Sequence, residues 1–204
     1  MTTFNVAITG GIATGKSTIM TTLETRVRYA AIPPKFYSID KIIRSLYQND
    51  KHFKSWVLKE FNTTDRSAIS NIVFDDSVKL AKLEKFTSTR IAVQLGRILS
   101  VPGINIVEIP LLFQYRLHTE FDLVIEMYVD KEEQVDRAIL RDGSSRDKLE
   151  SILNSQKYDL SSHTECNCYY AIPNKYEKDF TTTSVFNIIA EQFKINFAEK
   201  FLKA

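Results

Sequence analysis

Apolar and polar positions along the chain predict strands that alternate with helices. Short apolar runs bounded by polar or glycine-containing segments are typical of strands buried in a parallel sheet. The predicted strands span residues 4–9, 35–39, 104–109, 122–129 and 168–172. Because helical patterns lie between most of these strands, the sequence predicts an α/β fold with three layers and a parallel five-stranded sheet.

The segment from about residue 51 to residue 100 has a different pattern, because no strand interrupts it. Its apolar residues recur every three or four positions, which predicts packed amphipathic helices. We interpret it as a helical insertion beside the sheet, which could form one wall of a substrate-binding cleft, within a single domain whose core spans about residues 1–50 and 101–204. The apolar stripes are Phe53, Trp56, Val57 and Phe61, then Ala68, Ile69, Ile72 and Val73, then Leu80, Leu83, Phe86, Ile91, Leu95 and Ile98.

Residues 10–17 match G-x-x-x-x-G-K-S, the pattern of a phosphate-binding P-loop between a strand and a helix. The glycines let several backbone N–H groups point into one hollow at the positive end of the helix. Lys16 supplies a charge for the β- and γ-phosphates, and Ser17 supplies a hydroxyl for Mg2+. The alternative is a glycine-rich turn followed by a surface lysine. The flanking elements favour a site for a nucleoside triphosphate. The motif alone leaves three uses open: transfer of the phosphoryl group, hydrolysis of the nucleotide, or a nucleotide-dependent switch.

Two acidic residues lie where predicted strands end. Asp40 follows the second strand and precedes a helix predicted over residues 41–47, so it could bind a ligand at the sheet edge or cap the helix. Position alone favours neither role, and the two can coexist. Glu108 near the end of the third strand could face Mg2+ through water, or it could be an ordinary edge residue.

A pair of helices after the fourth strand predicts a lid over about residues 137–157. Asp130 and Glu133 match a capping box at the start of the first helix, and Arg137 and Arg141 share one face of it. Gly143 ends this helix, and a second begins at residue 144 or 145 and continues to residue 156. A lid of this kind would bring cations to a transferring phosphoryl group. The alternative is a solvated helix with surface arginines.

The composition places limits on the class of protein. The chain has 204 residues, of which 44% are hydrophobic and 25% charged, enough for one α/β domain with an insertion. A net charge of +2 gives no support for a nucleic-acid or membrane-surface partner. No run has transmembrane length, the first strand follows the N-terminus directly, and two cysteines do not make a disulfide framework. We therefore expect a cytoplasmic protein.

The C-terminal part of the chain carries one weak metal-binding pattern. His163, Cys166 and Cys168 could supply three ligands within a loop predicted over residues 157–167. No fourth ligand lies at the usual spacing, so we do not expect a metal site there. A closing amphipathic helix is predicted over residues 181–202, with a core-facing stripe of Val185, Ile189, Phe193, Phe197 and Phe201.

Five blocks, taken in order, resemble the dephospho-coenzyme A kinase family along nearly the whole chain. The P-loop block is shared by many enzymes, whereas the P-L-L-F and Q-x-x-R-x-x-x-R-D blocks are much more particular. The blocks are Val6–Thr18, Asp40–Arg44, Arg66–Asp76 with its continuation to Ile91, Pro110–Phe113, and Gln134–Gly143 with its continuation to Gln156.

The resemblance implies a P-loop kinase that uses ATP and Mg2+ to phosphorylate the ribose 3′-hydroxyl of dephospho-coenzyme A. It implies that Asp40 orients and deprotonates that hydroxyl, that Lys16 and Arg141 act on the phosphates, and that Ser17 binds the metal. The expected partners are therefore small-molecule substrates, with no nucleic acid or membrane, and the oligomeric state stays open. The implied ATP-binding residues are Gly11, Ile12, Ala13, Thr14, Gly15, Lys16, Ser17, Thr18, Arg137 and Arg141, and the implied acceptor-binding residues are Thr9, Asp40, Arg44 and Arg66.

The chain departs from the family pattern at several positions. The family usually has aspartate at Ser38, His-Pro at Ser88-Thr89, glutamate at Gln114, glycine at Ala13 and aspartate at Pro173. Because Lys16, Ser17, Asp40 and Arg141 are kept, we expect catalysis to be retained and acceptor affinity, or the acceptor itself, to change. The alternatives are a P-loop kinase for another nucleoside or nucleotide, and a nucleotide-binding switch without acceptor chemistry.

Overall fold

One five-stranded sheet organises the computed structural model, which describes residues 3–30, 32–143, 145–156, 160–175 and 178–202. The strand order is β2-β3-β1-β4-β5, and β1 pairs in parallel with both β3 and β4. The predicted parallel sheet of an α/β fold is therefore confirmed. The strands are β1 (Thr3–Thr9), β2 (Lys35–Ser38), β3 (Gly103–Glu108), β4 (Leu123–Tyr128) and β5 (Tyr169–Pro173).

The chain divides into two units: a core unit of residues 1–37 and 101–204, and a helical unit of residues 38–100. The helical unit is larger than the predicted insertion, because it also includes the helix after β2. The helices of the core unit are α1 (Lys16–Arg26), α6 (Lys131–Asp142), α7 (Arg146–Ser155) and α8 (Lys178–Leu202), and those of the helical unit are α2 (Ile39–Asn49), α3 (Lys51–Phe61), α4 (Arg66–Asp75) and α5 (Ser77–Leu99).

The main core of the core unit joins the central strands to α1 and α8. Alternate residues of β1 are buried in it, together with Ile19 and Leu23 of α1. The predicted stripe of α8 contributes Val185 and Ile189, and Phe193 packs edge-to-face on Phe4 at 5.7 Å. The side chains of Phe197 and Phe201, also predicted to face the core, lie outside the described residues. The end of β1, from which the P-loop continues, is therefore held in place by a well-packed interior.

A second, smaller core holds the helical unit together. Phe53, Val57 and Phe61 of α3 are buried with Leu46 of α2 and Ile69 of α4. This packing explains why α2 belongs to the helical unit: Tyr47 lies against Phe53, with ring centroids 4.7 Å apart. The prediction failed for Leu80, which is exposed near the start of α5, although Leu83 and Phe86 on the same stripe do pack.

Helix starts differ from the predictions in informative ways. The helix α2 begins at Ile39 with Ser38 in the capping position, so Asp40 lies inside the first turn and is not the cap. Asp65 caps α4 by accepting a hydrogen bond from the N–H of Ala68. In the segment predicted as a loop, residues 160–165 form a 3-10 helix, and residues 157–159 lie outside the described residues.

Among the described helices, none has the length and apolar character needed to span a membrane.

Candidate nucleotide site at the P-loop

The P-loop connects β1 to α1, and its last glycine caps the helix. Gly15 lies at the N-cap of α1 with φ of 89°, so the first N–H groups of the helix open toward the loop. The ammonium of Lys16 donates hydrogen bonds of 2.7 Å to the carbonyl oxygens of both Gly10 and Gly11. Helix dipole and ammonium charge therefore act on the same hollow, which suits a polyphosphate anion.

Two glycines of the loop are required by close packing as well as by backbone conformation. Gly10 has φ of 132°, and a β-carbon there would lie 2.1 Å from the carbonyl oxygen of Met127. A β-carbon on Gly15 would lie 2.1 Å from the amide nitrogen of Asn174. Ala13, where the family pattern has glycine, adopts φ of 57°, a left-handed conformation that costs an alanine about 1–2 kcal/mol.

Ser17 and Glu108 meet at the carboxyl ends of the parallel strands. Glu108 is the last residue of β3 and is 6% exposed, and its Oε1 accepts a hydrogen bond of 2.6 Å from the Ser17 hydroxyl. Hydroxyl and carboxylate oxygens are hard donors of the kind that Mg2+ prefers. Glu108 therefore joins Ser17 as a candidate for holding a metal ion, which is the first of the two roles that its position suggested.

A cavity of about 410 Å3 opens beside the P-loop in the core unit. Four of its lining side chains are cationic and none is acidic, so the cavity favours an anion of high charge density. Its size is in the range of pockets that hold small molecules and cofactors. The lining residues are Ala13, Gly15, Lys16, Ser17, Thr18, Ile19, Arg137, Arg141, Asn174 and Lys178.

The two predicted arginines both line the cavity from α6, but each is held differently. Arg137 donates to Oε1 of Glu133 at 2.5 Å and to the carbonyl oxygen of Asn174 at 2.8 Å. Arg141 binds the adjacent Asp142 through two hydrogen bonds of 2.8 and 2.6 Å. These bonds raise the pKa of Arg141 and lower the pKa of Asp142. Each arginine thus lines the cavity with an acidic partner beside it on the same helix.

The predicted capping box at the start of α6 is not formed. Asp130 occupies the N-cap, but its side chain makes no capping hydrogen bond and instead accepts from Lys175. Glu133 binds Arg137 one turn along the helix rather than reaching back to the cap. Charge pairing with these two cations replaced the local backbone bonds that the spacing predicted.

The predicted lid helices pack directly on the P-loop. Val135, Ala138 and Leu149 form a small cluster against Ile12 and Ala13. The end of the lid adds a polar link, because Oε1 of Gln156 accepts a hydrogen bond of 3.1 Å from the N–H of Ile12. Gln114, where the family pattern has glutamate, donates through its amide to the carbonyl oxygen of Gln156. A carboxylate could not make that bond.

Three of the predicted nucleotide-side residues support the loop from within rather than line the cavity. The carbonyl oxygen of Gly11 accepts a hydrogen bond from Lys16, and the N–H of Ile12 donates one to Gln156. Thr14 is fully buried, and its hydroxyl donates a hydrogen bond to the carbonyl oxygen of Gly11. Thr9, predicted on the acceptor side, is 1% exposed at the end of β1 and does not line the cavity either. Ala13, Gly15, Lys16, Ser17, Thr18, Arg137 and Arg141 do line it.

The other predicted acceptor-side residues lie in the helical unit. Asp40 and Arg44 are one turn apart on α2 and both are exposed, and Tyr47 is a further turn along the same face. The guanidinium of Arg66 lies over the Tyr47 ring, 5.2 Å from its centroid. One carboxylate and two cations thus share one face of this unit.

At Ser88 and Thr89, where the family pattern has His-Pro, both hydroxyls donate hydrogen bonds to the carbonyl oxygen of Lys85 within α5.

The cysteine-histidine pattern does not assemble a metal site. His163 contacts Glu126 at 3.2 Å and stacks on Tyr169, while the thiol of Cys166 donates to the carbonyl of Ser162. Burial, followed by the charge of Glu165, raises the pKa of Cys166 to about 11, which opposes the thiolate form that metals need. Within the described residues, no group of three or more His, Cys, Asp or Glu side chains is arranged to hold a metal ion.

Three cavity residues were not predicted from the sequence: the buried Ile19 of α1 and two polar residues. Asn174 follows β5 and Lys178 begins α8, and both line the cavity. The rule that ligands bind beyond the carboxyl ends of parallel strands, applied to β5, points to Asn174. Nothing in the sequence pattern distinguishes Lys178 from other helical lysines.

Sheet, P-loop and cationic cavity together define a P-loop kinase. The family model for dephospho-CoA kinase matches residues 4–165, and the chain belongs to that family. It is 30% identical over 166 residues to the dephospho-CoA kinase of Syntrophus aciditrophicus (strain SB), covering 74% of this chain and 68% of that one.

Solved structures agree with this fold. The dephospho-CoA kinase of Campylobacter jejuni has a TM-score of 0.62 at 23% identity, over 93% of this chain and 98% of that chain. The Thermus thermophilus protein TT1252 has a TM-score of 0.73 at 22% identity, over 94% of this chain and 98% of that chain.

Proposed function

We propose that this protein transfers the γ-phosphoryl group of ATP to the ribose 3′-hydroxyl of dephospho-coenzyme A, which gives coenzyme A and ADP. The cavity beside the P-loop carries the proposal, because four cations and a helix N-terminus surround a space with no lining carboxylate. Membership of the dephospho-CoA kinase family supports this choice of acceptor.

The proposed roles on the ATP side follow from the hydrogen bonds around the loop. Lys16 exchanges its bonds to Gly10 and Gly11 for bonds to the β- and γ-phosphates. Arg137 and Arg141 neutralise charge that spreads over the phosphoryl oxygens in the transition state. Ser17 and Glu108 would hold Mg2+. When bound, the ion would neutralise negative charge on the phosphates.

The proposed roles on the acceptor side belong to the helical unit. Asp40 orients the 3′-hydroxyl and accepts its proton as the bond from oxygen to the γ-phosphorus forms and the bond to the leaving ADP oxygen breaks. Its exposed position in the first turn of α2 supports this role, because a substrate can reach it. Arg44 and Arg66 bind the diphosphate of the acceptor, and Thr9 supports the P-loop from β1.

Further aspects of the proposal concern the setting of the enzyme. Both substrates are small molecules, and the proposal includes no nucleic-acid or membrane partner. We place the enzyme in the cytoplasm, which is supported by its two cysteines, Cys166 and Cys168, both free thiols.

The test is ADP release from MgATP by the purified protein, with dephospho-coenzyme A, with adenosine, and with neither. We expect release that depends on dephospho-coenzyme A, with coenzyme A as the product. Phosphorylation of adenosine or another nucleoside alone would show a kinase with a different acceptor. ATP consumption that no acceptor changes would show a nucleotide switch.

Two substitutions separate the proposed roles. Lys16→Ala should lower kcat/KM for ATP by about 100-fold or more, because it removes a cation from the transferring group. Asp40→Asn should lower kcat by about 100-fold with little change in ATP affinity. Asp76→Asn, in the same helical unit, is the matched control, because asparagine caps a helix as well as aspartate. Full turnover by Asp40→Asn would refute the role of Asp40.

A further inference from the structure

Asn174 connects three parts of the nucleotide site through one residue. It follows the last residue of β5, and its N–H donates a hydrogen bond of 2.8 Å to the carbonyl oxygen of Tyr128, the last residue of β4. It is 9% exposed. The strand ladder therefore fixes the backbone of Asn174 at the carboxyl edge of the sheet.

The side chain of Asn174 holds the P-loop. Its amide nitrogen donates a hydrogen bond of 2.9 Å to the carbonyl oxygen of Thr14. The same nitrogen occupies the space where a β-carbon on Gly15 would lie, since the two would be only 2.1 Å apart. This contact sets the orientation of the peptide between Thr14 and Gly15, immediately before the N–H groups at the start of α1.

The backbone carbonyl of Asn174 holds the cationic wall of the cavity. It accepts a hydrogen bond of 2.8 Å from the guanidinium of Arg137. Arg137 also binds Glu133, so its side chain is fixed from two directions. One residue thus fixes the P-loop through its side chain and Arg137 through its backbone.

We propose that Asn174 is a positioning residue for nucleotide binding, which keeps the Thr14–Gly15 peptide and Arg137 in register with the triphosphate. It acts through these neighbours and not on the reacting atoms. Asparagine is needed because aspartate has the same shape but no donor, and would place a carboxylate against the carbonyl of Thr14. This inference rests on the proposed function of the cavity as the ATP site.

The experiment compares Asn174→Ala and Asn174→Asp with the wild-type protein. Direct binding of MgATP and steady-state kinetics are measured for each. We expect the Kd and KM for ATP to rise by about tenfold or more in both variants, since each loses one buried hydrogen bond. The KM for dephospho-coenzyme A should stay within about twofold. Amide hydrogen exchange at Gly15 should become faster even without nucleotide, because its peptide loses the fixing bond.

Asn167→Ala is the matched control. The amide of Asn167 also donates a hydrogen bond of 2.8 Å to a backbone carbonyl, that of Phe121, and Asn167 does not line the cavity. It should leave ATP binding and exchange at Gly15 unchanged.

Three outcomes would overturn the inference. If Asn174→Ala binds ATP as the wild type does and only Asn174→Asp is weaker, the effect is one of added negative charge. If both variants lose thermal stability with unchanged KM values, Asn174 has only a structural role. If the wild type does not bind MgATP, the proposed function and this inference both fail. If binding is intact and acceptor phosphorylation is absent, only the proposed function fails.

Discussion

The hydroxyl of Ser17 donates a 2.6 Å hydrogen bond to the carboxylate of Glu108, which joins the P-loop to the end of the neighbouring strand β3. The two residues are 91 positions apart in the sequence. The register of β1 with β3 brings them together, because Ile8 of β1 lies opposite Glu108.

The first prediction concerns this pair. Glu108→Gln should lower turnover by roughly 10–100-fold and raise the Mg2+ concentration needed for half-maximal rate, because a residue that orients a metal ligand contributes about that much. The measurement is a Mg2+ titration of ADP release. Ser17→Thr, which keeps the hydroxyl, should retain more of the activity than Ser17→Ala. An unchanged Mg2+ dependence in Glu108→Gln would contradict a metal-binding role.

The second prediction concerns Ala13, the P-loop residue with φ of 57°. Ala13→Gly should increase the free energy of unfolding by up to about 1 kcal/mol, because relief of the left-handed conformation exceeds the added chain entropy of glycine. Chemical denaturation measures the change. Ala81→Gly, at an exposed position inside α5, should have the opposite sign at about 1 kcal/mol. Destabilisation by both substitutions would contradict the strain at Ala13.

The third prediction concerns the link from Gln114 through Gln156 to Ile12. Gln114→Glu should lower the free energy of unfolding by about 1–3 kcal/mol, because a carboxylate would face the carbonyl of Gln156 without a donor. The KM for ATP should rise as the lid end loosens from the P-loop. Denaturation and ATP kinetics test both effects.

Gln192→Glu is the control for Gln114→Glu. The Gln192 amide contacts the hydroxyl of Tyr170, which can donate to a carboxylate instead. This variant should therefore be nearly neutral. Equal stability of Gln114→Glu and the wild type would contradict the link.

The fourth prediction concerns thiol reactivity. Because burial raises the pKa of Cys166 to about 11, only about one thiol in a thousand is ionised at pH 8. Alkylation of the native protein should be slow at pH 8 and should accelerate as pH rises through about 11, until unfolding intervenes. Burial also raises the pKa of Cys168. The Cys166→Ser variant, measured in parallel, shows how much of the alkylation occurs at Cys168. Rapid modification of Cys166 in the native protein at pH 8 would contradict the prediction.

Local sequence patterns determined the elements of this protein and the position of its P-loop. Strand and helix periodicity predicted the sheet, and the spacing of Gly10, Gly15, Lys16 and Ser17 predicted the phosphate-binding turn, because these features depend on neighbours within a few residues.

Tertiary structure decided which partners the polar side chains took. Asp130 and Glu133 had the spacing of a capping box, yet their carboxylates form ion pairs with Lys175 and Arg137 at 2.6 and 2.5 Å instead. Asn174 reached Thr14 across 160 positions because β4 and β5 pair in parallel and end at the same edge. Such contacts depend on strand order and register, which periodicity along a single chain does not contain. The sequence therefore specified the loop that binds phosphate, and the packing of distant segments selected the residues that hold that loop in place.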